Sequence, residues 1–144
     1  MSPREVVERW VEAWNARDAE AAAALYHDDA VNDQVALADP RSSRTVILED
    51  TREFFAAFPD SYTNPVNLFE EGQWAILEWI GGATWTGPFA GHEPNGKSFV
   101  LRGCGFFHVV DDKIKFQRGY WDRATWFGQL GIDVLKSPPM SAES

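Results

Sequence analysis

The segment from Gly103 to Ile132, GCGFFHVVDDKIKFQRGYWDRATWFGQLGI, constrains the fold of this chain more than any other. Phe106 to Val110 is an apolar run, Asp111-Asp112 supplies turn chemistry, and Ile114 to Trp121 reads as the returning strand. Asp122 stands where a helix N-cap belongs, its carboxylate able to accept from the open amides of a first turn. Gly131 stands where a left-handed C-terminal cap belongs. One hairpin and one helix thus gather glycines and aromatics around what reads as a pocket.

Upstream, Ser2-Pro3-Arg4-Glu5 is a capping box with proline at the first helical position, followed by Val6, Val7, Trp10, Val11 and Trp14 on one stripe. Asp18 is placed to cap a short second helix over Ala21 to Tyr26, and Ala30 to Val35 alternates as a strand with Asn32 and Gln34 on one face. A loop rich in Asp, Pro, Arg and Ser precedes a third helix over Ile47 to Phe58, which Pro59 ends. Pro65 to Glu70, Gln73 to Thr86 and Ser98 to Val110 read as antiparallel strands, the last two separated by the loop Gly87 to Gly96. Helices first and a long meander last predict an α+β fold in which a curved antiparallel sheet packs on the N-terminal helices as a cone. Gly81, Gly82, Gly103, Gly105 and Gly119 interrupt strands where bending or clearance for a ligand is the usual reason.

At 144 residues the chain is the size of one domain, expected over residues 1–135 with a flexible tail over 136–144. The 22 acidic residues outnumber the 13 Lys and Arg for a net charge of -9, which argues against phosphate-backbone binding and hence nucleic acid. No apolar stretch approaches the ~20 residues that span a bilayer, and no leader pattern opens the chain, so no membrane partner and a cytoplasmic location are expected. Cys104 has no partner cysteine and is read as a small buried thiol. His27, His92 and His108 lack ligand spacing, and no GxGxxG, Walker loop or GxSxG elbow is present. Neither metal nor cofactor is expected, and any chemistry must use side chains alone.

The chain resembles the SnoaL-like polyketide cyclases of the nuclear transport factor 2-like superfamily, relatives of ketosteroid isomerase and limonene epoxide hydrolase. The resemblance covers nearly the whole chain and is carried by VERWVEAWNARD with LYHDDAVNDQV, FFAAFPD, TWTGPFAGHEPNGKSFVLRG and DDKIKFQRGYWDRATWFGQLG. It implies a cone-shaped α+β fold, a deep apolar cavity, cofactor-independent acid–base chemistry on a polycyclic or terpenoid ligand, and homodimers that meet through the convex sheet, the side expected for His108. The family's functional positions arrive changed. The cyclase's catalytic aspartate falls on Gly119 and its histidine partner on Gly105. The isomerase's tyrosine falls on Trp10 and its general base near Gln34, one place from Asp33. The epoxide hydrolase's Arg-x-Asp pair falls near Trp79 and Gly81, and its water-orienting tyrosine and asparagine correspond roughly to Asn32 and Gln34.

By alternation the concave face carries Trp79, Gly81, Ala83, Trp85, Gly103, Gly105, Phe107, Gln117, Gly119 and Trp121. Trp10 and Trp14 are expected in the core. Trp79, Trp85, Phe107 and Trp121, with the amides Asn32, Gln34 and Gln117 and the clearance at Gly119, are the candidate substrate-binding residues. Asp33 and Asp122 are the candidate catalytic acids. Asp33 also reads as a solvated outward carboxylate, Asp122 as a simple helix cap, and His92 as either a gating residue or an exposed one. Two functions follow: a cofactor-independent enzyme with cyclase, isomerase or hydratase chemistry on a polyketide-like molecule, or a non-catalytic binding protein that kept the cone and lost the acids at Gly119 and Gly105. A carboxylate projecting into the cavity favours the first.

Overall fold

Ser2 begins the chain's order as the spacing predicts: its hydroxyl accepts from the Glu5 amide, while the Glu5 carboxylate reaches back to the Ser2 amide. The computed structural model describes residues 1–133. Helix α1 spans Pro3–Asn15 and α2, capped by Asp18, spans Ala19–Ala23. Strand β1 is Tyr26–Gln34, followed by a 3-10 turn over Val35–Leu37 and the two-residue strand β2, Arg41–Ser42. Helix α3, Arg44–Ala57, is capped by the Ser43 hydroxyl. Strands β3 (Tyr62–Glu71), β4 (Trp74–Thr84), β5 (Ser98–Val110) and β6 (Lys113–Trp121) follow, and α4 (Arg123–Leu130) lies between the caps Asp122 and Gly131. The expected tail over 136–144 lies outside the described residues.

The six strands form one curved, unclosed sheet in the order β2-β1-β6-β5-β4-β3. Three differences from the sequence reading matter. Tyr26, expected in a helix, opens β1, because α2 ends at Ala23 and the Leu25 carbonyl takes the Ile114 amide into the sheet. The polar loop before α3 contains β2, which pairs antiparallel with β1 through Val31 and Asn32. The sheet is also not wholly antiparallel: β1 and β6 run parallel, with a register shift between Tyr26 and Val31. The β5–β6 hairpin turns through Asp111 and Asp112, both at positive φ, as a two-residue loop matching strand twist requires.

Two apolar clusters hold the cone. Val6, Val7, Trp10 and Val11 of α1 bury against Tyr26, Leu77, Phe107 and Ile114. Phe58, Trp85, Phe99 and Leu101 bury against Trp126, Phe127 and Leu130 of α4. Trp79 packs on both, and the space between them is left open. Among the described residues no helix is long and apolar enough to cross a membrane.

Candidate functional site

The opening between the clusters is a cavity of about 300 Å³ on the concave face. Its floor is inner-face residues of β4, β5 and β6: Leu77, Trp79, Gly105, Phe107, Gln117, Gly119 and Trp121. Trp10 and Trp14 of α1 and Phe54 of α3 form one wall, Phe89, Phe99 and Trp126 the far end, and Asn32 and Gln34 of β1 the other side. Trp10 and Trp14, expected purely as core, thus serve both as packing and as cavity wall. Trp14 packs tilted on Phe54 and edge-on against Phe55, and Trp10 meets Phe107 edge-on with centroids 5.1 Å apart.

Three of the candidate site residues lie elsewhere. Asp33 sits between Asn32 and Gln34 on a strand, so when those two face inward it faces out; it pairs there with Arg118 at 3.2 Å. Asp122 caps α4, accepting from the Thr125 amide at 3.2 Å and from the Thr125 hydroxyl, which holds its carboxyl below the usual range. Trp85 is fully buried in the second cluster and its indole N–H donates to the Gly87 carbonyl at 2.7 Å, so it fills core and does not line this cavity. His92 pairs backbone to backbone with Phe89, and it is Phe89 that reaches the cavity. His108 is on the convex face, stacked on Trp74 at 4.7 Å.

Gly105 and Gly119, the positions on which the resemblance sets the cyclase's histidine and aspartate, are direct partners in the β5–β6 register. A side chain at Gly119 would fall on the Gln34 carboxamide, which crosses from β1 to occupy that space. Gln34 is held there by Trp121, whose indole N–H donates to its Oε1 at 2.9 Å, and it donates onward from Nε2 to Asn32 Oδ1 at 2.7 Å. A second buried chain runs from Trp10 Nε1 to the Tyr26 hydroxyl at 2.9 Å and from that hydroxyl to Gln117 Oε1. Burial pushes the Tyr26 phenol far above its ordinary range, so it stays protonated.

Sequence reasoning missed the charged rim. Arg41 of β2 donates from Nε to Asp50 Oδ2 at 2.9 Å and lies 3.5 Å from Asp39, and all three border the cavity with Glu53. The Asp50 hydrogen bond raises the Arg41 guanidinium's pKa further, so it remains a cation. These residues lie in a loop, a two-residue strand and the helix after it, and the β1–β2 pairing sets Arg41 beside Asn32 at the cavity. Tyr26 was missed for the same kind of reason, since its place depends on where α2 stops. Among the described residues no cluster of three or more His, Cys, Asp or Glu could hold a metal.

A curved open sheet wrapped on helices, with its pocket on the concave side, places the chain in the nuclear transport factor 2-like, ketosteroid isomerase-like class of folds. The model of the SnoaL-like polyketide cyclase family matches residues 4–130, and the chain belongs to that family. Among solved structures it is similar to IdmH, a candidate polyketide cyclase from Streptomyces antibioticus, at 24% identity over 92% of this chain and 100% of that one, TM-score 0.77. It is similar also to AclR, a candidate hydroxylase from Streptomyces galilaeus, at 21% identity over 90% of this chain and 80% of that one, TM-score 0.79. A protein with a ketosteroid isomerase-like fold from Catenulispora acidiphila, solved with trimethylamine, matches at 17% identity over 96% of this chain and 100% of that one, TM-score 0.80. No curated protein matches the chain.

Proposed function

We propose that this protein binds a flat, polyketide-like polycyclic molecule in the aromatic cavity and acts on it without a cofactor, by cyclase-, isomerase- or hydratase-type proton transfer. The carrying observation is a cavity of about 300 Å³ walled by tryptophan and phenylalanine, with Asp50 and its Arg41 partner at its rim. Asp50 is the base in this reading: it borders the cavity, and the two hydrogen bonds from its Arg41 partner fix its orientation. Asp33 and Asp122 have no access to a ligand held there. A second reading, a binding protein without catalysis, draws on the glycines at 105 and 119 and on the neutrality of the inner wall.

The test is incubation with a panel of polycyclic ketones, aromatic polyketide intermediates and epoxides, followed by tryptophan fluorescence and product mass. The expected result is a new product whose formation falls roughly 10²- to 10⁴-fold in Asp50→Asn and is unchanged in Asp33→Ala. Saturable quenching with ligand mass unchanged throughout would establish the binding reading instead. The same proposal includes a homodimer through the convex sheet, supported by exposed Trp74, Val100 and Tyr120 on that face, and a cytoplasmic location, where the unpaired Cys104 stays reduced.

A further inference from the structure

Each polar chain of the cavity begins at a tryptophan indole, and an indole N–H can only donate. That fixes the direction of everything downstream. Tyr26 accepts from Trp10, so its single proton must go to Gln117, which turns Gln117 Oε1 toward the tyrosine and leaves Nε2 as the open end. Gln34 accepts from Trp121 through Oε1, so its Nε2 donates to Asn32 Oδ1 and leaves Asn32 Nδ2 as the open end. Neither terminal NH2 has a hydrogen-bond partner among the described residues, and both residues line the cavity, which leaves the two donors for a ligand. Asn32 and Gln117 are register partners on the parallel strands β1 and β6, about 4.8 Å apart, and both side chains line the cavity. At the far end of the cavity the indole N–H of Trp126 is buried with no partner among the described residues. The inner wall therefore presents donors in excess.

We propose that Asn32 and Gln117 grip one carbonyl oxygen of the ligand, so that the cavity selects polycyclic ketones and quinones over ring systems of the same shape that lack an acceptor. A carbonyl oxygen has two lone pairs and no proton to place, which is what two converging donors require. The polarisation of each chain runs toward the cavity and strengthens its last donor. Trp10, Tyr26, Trp121 and Gln34 are positioning residues that set this direction without touching the ligand's oxygen. The inference rests on the reading of the cavity as a ligand site.

Three flat tricyclic probes test it: 9-fluorenone carries an acceptor, fluorene carries neither group, and carbazole carries an N–H donor. Affinity is measured by tryptophan quenching for the wild type, Asn32→Leu, Gln117→Met and Trp121→Phe, with the infrared carbonyl stretch of bound fluorenone recorded on the wild type. The expected result is fluorenone bound roughly ten- to hundredfold more tightly than fluorene, carbazole no tighter than fluorene, and a stretch lowered from its value in an apolar solvent. Asn32→Leu and Gln117→Met each remove most of that preference, while Trp121→Phe, which frees Gln34 to turn over, improves carbazole relative to fluorenone. Equal affinity for all three probes, carbazole tighter than fluorenone, or an unshifted stretch overturns the carbonyl grip while leaving the ligand cavity standing. Binding of none of the three overturns both. The infrared measurement needs no variant, so it decides the matter even if Gln117→Met, which strands the Tyr26 proton, does not fold.

Discussion

Asp33 faces away from the cavity because its two neighbours face into it, and no rotamer of a strand residue undoes that. Asp33→Ala is therefore expected to leave ligand affinity within twofold of wild type, measured by fluorescence titration, while loosening only a half-exposed ion pair with Arg118. Asp122 makes a different prediction. Thr125 depresses its folded pKa below the ordinary value near 3.9, so its contribution is complete above that pH and is lost as pH falls through the depressed value. Glu5, Asp29 and Asp60 are depressed in the same sense by hydrogen bonds from Ser2, Lys115 and Thr84. Melting temperature is thus expected to fall below about pH 4, with the acid drop smaller in Asp122→Asn, which caps equally well without titrating. At this scale strand alternation alone makes Asn32, Gln34, Gln117 and Trp121 legible as inward residues. Trp85 shows where alternation stops: the strand ends at Thr84, and beyond it the side chain follows the loop into the core.

Glycine pairs decide how the sheet elements meet. Trp79 lies flat because Gly103 has no side chain; a Cβ there would approach the indole Cζ2 to 2.5 Å and the Tyr120 carbonyl to 2.8 Å. Gly103→Ala is expected to cost about 1–3 kcal/mol by chemical denaturation, since part of the clash is with backbone that cannot give way. Gly119 is the informative case, because its missing side chain is replaced from another strand. Restoring the family's acid with Gly119→Asp is expected to destabilise, and shortening its occupant in Gln34→Ala/Gly119→Asp to recover more than about 0.5 kcal/mol of that loss as coupling energy in a double-mutant cycle. The hairpin, the capped helices and the meander were readable because each rests on local signals, caps, turn residues and alternation between sequence neighbours. Strand β2 was not, because two residues carry no periodicity and exist as a strand only through Val31 and Asn32.

On the scale of the whole molecule the concave and convex faces divide the labour. The concave face is nearly uncharged inside a chain of net charge -9, so the acids sit outside and at the rim, where Arg41 lies between Asp39 and Asp50. The convex face leaves Val100 and Tyr120 exposed amid Arg102 and Arg118. If a second copy covers it, Val100→Glu is expected to halve the mass seen by light scattering at micromolar concentration with the thermal melt of the monomer intact; a wild type that already scatters as a monomer sinks the dimer. The cone was readable as a whole because the order of helices and strands admits few layer arrangements. The charged rim was not, because nothing local says that the segment from Asp39 to Glu53 lies at the cavity mouth.

The parallel seam between β1 and β6 also sets a timetable. The β5–β6 hairpin closes through neighbours in sequence, whereas Asp33 and Arg118 are 85 residues apart, and loop closure over that distance must wait for the meander. Both polar chains of the cavity cross this seam, at Tyr26 with Gln117 and at Gln34 with Trp121. The pocket is thus expected to be the last part of the protein to form. In pulse-labelled hydrogen exchange during refolding, amides of β5 and the first half of β6 should gain protection before those of Asn32 and Gln34.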